Sequence, residues 1–170
     1  MRRSPTDLEG QEYAHREYEF SSAVYGSILV SALVGAMFEE HASAQTMTLS
    51  LVGSVVIFWI AHAWSEVIGE RVATGRLFDT SRIRSIAVSE WPLVEAGMLP
   101  ALLLALAWAG VYSRHTASVL ALAVAVLQLV GWGVLAGHRT QPSWRGALVV
   151  GAFDGLLGIG IVAIEIAVHR

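Results

Sequence analysis

Five apolar runs of about twenty residues each, separated by short polar breaks, leave this chain few folds to choose from. They cover 20–38, 47–68, 91–112, 117–137 and 146–168. A bilayer's hydrocarbon core is about 30 Å thick, and about 20 helical residues cross it. No water is present there to satisfy backbone polar groups, so runs of this length read as helices. The pattern predicts an all-α integral membrane bundle of five transmembrane helices. Trp64, Trp91, Tyr112 and Trp144 fall near run ends, where an aromatic belt places such rings.

Composition agrees. Of the 170 residues, 55% are hydrophobic and only 15% charged, against roughly 25% charged in soluble domains. The core that these residues fill is therefore mostly the bilayer. There is no cysteine, which excludes a disulfide framework and a thiolate site. A net charge of -3 points to no nucleic-acid partner.

Segment 1–19 is polar and acidic, unlike a cleavable signal, so the run at 20–38 reads as a mature span. Asp7 suits the cap of a helix over 8–18 lying at the membrane surface, with Tyr13, Tyr18 and Phe20 at the interface. The expected organisation is a polar cytoplasmic segment, 1–19, followed by a single membrane domain, 20–170.

Arginine sets the orientation, since every basic residue is arginine. With the N-terminus in the cytoplasm, Arg2, Arg3, Arg16, Arg71, Arg76, Arg82, Arg84, Arg139 and Arg145 lie inside. Only Arg114 and Arg170 lie outside. The positive-inside rule thus predicts a cytoplasmic N-terminus and an outer C-terminus, in a bacterial cytoplasmic membrane. The outer loops leave no room for a soluble domain. In the cytoplasmic loop 71–90, Asp79 can start a short helix carrying Arg82 and Arg84 at the inner surface. Ser89 is the expected cap of the next span, with Pro92 in its first turn. Pro100 should kink that span.

Small residues recur every four positions: Ser27, Ser31 and Gly35; Ala61, Ser65 and Gly69; Gly133 and Gly137; Gly151 and Gly155. Such stripes let helices approach closely. They support a tight bundle and a homo-oligomer.

The chemistry lies in the ionisable residues, which are expensive inside a membrane. The helix around SVVIFWIAHAWSEVIGE carries His62, Glu66 and Glu70 at four-residue spacing. His62, Glu66, Glu95 and Asp154 come from three helices and share the inner half of the membrane, and Gln128 can join them. Glu39, Glu40, His41 and Glu165 form an outer group. Asp154 and Glu165 lie nearly three turns apart on one helix face. Asp154 has no basic residue within a turn and is expected to meet His62 or Glu66. The plainer readings are interfacial ion pairs of Glu66, Glu70 and Glu95 with Arg71, Arg82 or Arg84, and a solvated outer loop.

Two carboxylates and an imidazole can hold a divalent cation. Equally, they can relay protons. If a metal binds, His62, Glu66 and Asp154 are the candidate ligands. No zinc-peptidase helix, phosphate loop or nucleophile elbow is present. The run Gly151-Ala152-Phe153-Asp154-Gly155-Leu156 resembles the Gly-x-x-Asp-Gly-Leu run of the vacuolar iron transporter family. That resemblance implies a five-span fold. Here, however, the run is in the last span and not the first, and that family's cytoplasmic metal-binding extension has no counterpart.

The function expected from these residues is a proton- or cation-handling transporter or channel subunit. Two alternatives stand beside it: an accessory or assembly protein whose acids fix helix packing, and an intramembrane lipid-binding or lipid-modifying protein.

Overall fold

The structure is a computed structural model. It describes the backbone of residues 5–75, 79–140 and 143–168, with side chains at all of these except 5–20, 39, 140, 161, 162, 165, 166 and 168. Arg2, Arg3, Arg76 and Arg170, used in the orientation argument, lie outside the described residues.

Six helices follow one another: α1 Pro5–Glu39, α2 Ala44–Thr74, α3 Thr80–Ser89, α4 Trp91–Trp108, α5 Arg114–Thr140 and α6 Trp144–Val168. Among the described residues there is no strand. Four segments are long and apolar enough to cross a membrane: Ser21–Phe38, Ala44–Thr74, Trp91–Trp108 and Arg114–Arg139. They coincide with the first four apolar runs. The polar lead is helical, and α1 is continuous from Pro5 through the first span.

Local chemistry explains the element ends. At the α1–α2 turn His41 takes a left-handed φ of 56°. The Ser43 side chain then caps α2 by accepting from the Thr46 backbone N–H at 3.1 Å. At its other end α2 stops at Gly75, whose φ of 65° suits a residue without Cβ. The run at 91–112 breaks earlier than its hydropathy implies. Gly110 has a φ of 82°, and the Tyr112 hydroxyl folds back to donate to the Leu103 carbonyl at 2.7 Å. Pro100 is buried within a helix that continues through it.

α1 is the central helix. It packs on α5, α4 and α6, and more lightly on α2 and α3. Its inward face is made of small residues, Ser22, Ala23, Gly26, Ser27 and Ser31. Ser27 and Ser31 return their hydroxyls to the carbonyls one turn back, at 2.9 and 2.8 Å. That stripe therefore buries no unmet donor. A Cβ at Gly26 would lie 3.0 Å from the Leu93 backbone, so only glycine lets α1 and α4 cross this closely.

α5 and α6 form a tight antiparallel pair. A Cβ at Gly137 would stand 2.7 Å from the Ala147 Cα, and one at Gly133 2.9 Å from the Gly151 Cα. The glycine stripes seen in the sequence thus meet each other. α2 packs mainly on α4 and leaves Val52, Ile57, Ile60 and Trp64 exposed, as a lipid-facing helix does.

Asp79 starts α3 by accepting from the Ser81 N–H at 3.1 Å, as the sequence predicts. α3 is tied to α2 twice. Arg82 Nε donates to both carboxylate oxygens of Glu70, at 2.8 and 2.9 Å, one of the ion pairs foreseen. Trp59 Nε1 donates to the Ala87 carbonyl at 2.9 Å.

Candidate functional site

The α3–α4 joint departs from expectation. Ser89 does not cap α4; its hydroxyl donates to the Ile86 carbonyl at 2.8 Å within α3. Glu90 occupies the joint instead, in αR conformation, ending α3 and beginning α4 without a side-chain cap. Pro92, in the first turn of α4, has no N–H to satisfy. One orphan donor is already removed there, and the Glu90 side chain is free to turn inward. It is only 2% exposed.

A buried carboxyl needs partners. Ser22 of α1 donates its hydroxyl to Glu90 Oε2. His62 of α2 brings Nε2 to 3.8 Å from the same oxygen, within ion-pair reach and slightly beyond a direct hydrogen bond. No arginine pairs with Glu90 among the described residues. The His62 side chain is 43% exposed, so it links the buried acid to the exterior of the bundle. Tyr25 stacks on the imidazole with ring centroids 5.3 Å apart.

Beyond Tyr25 lies Asp154. It shares a groove of about 440 Å³ with Ser21, Val24, Tyr25 and Ile28. α1 supplies four of these residues and α6 the acid. The carboxylate rests against Gly133 of α5, where any Cβ would collide with Oδ2. Among the described residues Asp154 has no hydrogen-bond or ion-pair partner. Tyr25 thus stands between two acids, touching His62 on one side and lining the Asp154 groove on the other. Gly133 lies about 28 Å along α5 from Arg114, at 1.5 Å per residue. Arg114 is tied to the α2-proximal end of α1 through the Phe38 carbonyl at 3.4 Å. The polar layer therefore sits towards the end of the helices opposite Arg114.

The sequence candidates divide accordingly. His62 and Asp154 belong to this layer but do not meet directly: His62 faces Glu90 and Tyr25, and Asp154 faces α1. The reason is topological, since α6 packs on α5 and α1 while α2 packs on α4. Glu66 is half-buried one turn beyond His62, and Glu95 points outward from α4, exposed. Gln128 does not join the layer; its Oε1 is buried without a hydrogen-bond partner. The side chains of Glu39 and Glu165 lie outside the described residues. Among the described residues, no three histidine or acidic groups converge as metal ligands would.

Three residues of the layer were not singled out for chemistry in the sequence. Glu90 reads there as the end of a loop, because an acid before Trp-Pro is ordinary at a helix start. Ser22 is absent from the four-residue stripe through Ser27. Tyr25 looks like one more interfacial ring. The available signal was the pair Ser22 and Gly26, one turn apart on the face that α4 packs against.

Comparison of the chain with protein families, with characterised proteins and with solved structures finds no match. The six-residue resemblance to the iron transporter run is therefore not extended by any of them.

Proposed function

We propose that this chain is a five-span protein of a bacterial cytoplasmic membrane, with its N-terminus inside, that handles protons or cations through the inner polar layer. α6, 25 residues long, is the fifth span in this reading. The observation that carries it is Glu90, an acid 2% exposed whose described partners are a hydroxyl and an imidazole. The pair has two charge arrangements that leave it neutral: carboxylate with imidazolium, and carboxylic acid with neutral imidazole. A proton can pass between them without leaving a net charge in the apolar bundle. The exposed edge of His62 supplies the exchange with the exterior. Five helices leave little room for a pore, and a homodimer is part of the reading.

Purified protein in vesicles that contain a pH-sensitive dye tests this. An imposed potassium potential should drive dye acidification above that of empty vesicles. Glu90→Gln, which keeps the size and the Ser22 hydrogen bond, should remove it. Flux equal to empty vesicles in the wild type would sink the transport reading and leave the acids as packing devices.

A further inference from the structure

The Asp154 groove has a chemistry separate from the Glu90 pair. Its walls are Val24, Ile28 and the ring of Tyr25, with the Ser21 hydroxyl at one end and the Asp154 carboxylate on α6. It is a shallow, open groove with a volume of about 440 Å³. The carboxylate is set in place from behind, because Gly133 and Gly151 bring the α5 and α6 backbones together beneath it. Among the described residues it is the one charged group in the lining.

From this geometry we infer that the groove binds a monocationic amphiphile, an ammonium head on an apolar tail. The carboxylate supplies the counter-charge. The Ser21 hydroxyl accepts from an N–H. The Tyr25 ring offers its face to the cation, the arrangement that stabilises ammonium groups over aromatic rings. The tail lies along Val24 and Ile28. Charge complementarity selects the head group. An anionic ligand would meet Asp154 with like charge. A zwitterionic phospholipid would bring its phosphate beside the same carboxylate, with no basic residue among the described lining residues to receive it.

The test is equilibrium binding of radiolabelled dodecylammonium to the full chain in phosphatidylglycerol nanodiscs, whose lipids carry no ammonium. A saturable site is expected in the wild type. Asp154→Asn should weaken it roughly tenfold or more, the size of a lost charged hydrogen bond. Tyr25→Leu, which keeps an apolar wall, should weaken it about two- to fivefold. Ile28→Trp leaves the carboxylate intact and fills the groove, so it should abolish saturable binding even if Asp154→Asn fails to fold. Dodecanol should not compete. The inference is overturned if folded Asp154→Asn and Ile28→Trp bind as the wild type does, or if dodecanol competes as well as dodecylammonium. It is also overturned if phosphatidylethanolamine displaces the probe as well as unlabelled dodecylammonium, because the occupant is then a lipid head group. Glu90→Gln should leave binding unchanged. Loss of proton flux with binding retained therefore separates this site from the Glu90 pair.

Discussion

Glu90 and Asp154 lie on opposite sides of Tyr25 and accommodate an acid in an apolar bundle in different ways. Glu90 is sealed in, with a serine hydroxyl donating to it and an imidazole at 3.8 Å. Asp154 is half-open, borders a groove, and rests on glycines that hold it without hydrogen bonding to it. A buried acid with internal partners is part of the fold as well as of any chemistry. An acid at the edge of a groove contributes little to the fold and remains available to a ligand. Stability and binding measurements should therefore separate the two.

The largest contrast is expected from truncation. Glu90→Ala removes a buried group, leaves the Ser22 hydroxyl unmet and opens a void, and should destabilise by roughly 2–4 kcal/mol. Asp154→Ala should stay within about 0.5 kcal/mol. Urea or detergent unfolding followed by circular dichroism measures both. Equal losses would erase the distinction.

The glycine beneath Asp154 provides a second contrast, with a glycine that faces open space. Gly133→Ala drives a methyl into the Asp154 carboxylate and towards the Gly151 backbone, which should cost about 1–3 kcal/mol by overpacking. Gly131, two residues away, has open space where a Cβ would go. Gly131→Ala should be neutral or stabilising by up to about 1 kcal/mol, because alanine favours helix. The same unfolding titration decides.

A smaller effect sharpens the Glu90 side. Ser22→Ala removes the buried hydroxyl donor and should cost about 1 kcal/mol. Ser21→Ala, in the groove, should change stability by less than about 0.5 kcal/mol. The smallest expected change is at the α2–α3 tie. Arg82→Gln breaks an exposed ion pair with Glu70 and should cost at most about 1 kcal/mol, less in high salt.

How much of this was legible in the sequence depends on which interactions are local. Hydropathy marked the four candidate spans, Asp79 carries local capping chemistry, and the Gly133, Gly137, Gly151 and Gly155 stripes announced close packing. Those features are set by residues within a few positions of each other. The Ser22–Glu90 contact joins positions 68 apart, and His62 joins it from a third helix. Nothing near Glu90 in the chain distinguishes a carboxylate that caps a helix from one that turns into the bundle. His62 and Asp154 could be chosen because each is polar in an apolar run. Their partners depended on which helices are neighbours, and the apolar pattern does not encode that order.

The central claim is that a proton passes between Glu90 and His62, and through His62 to the exterior. Infrared difference spectroscopy of the protein in vesicles, stepped from about pH 8 to about pH 5, reads it directly. The account predicts a carboxylic-acid carbonyl band that changes across the step, disappears in Glu90→Gln, and shifts in His62→Ala. A Glu90 band that is identical at both ends of the range, and indifferent to His62→Ala, would contradict it.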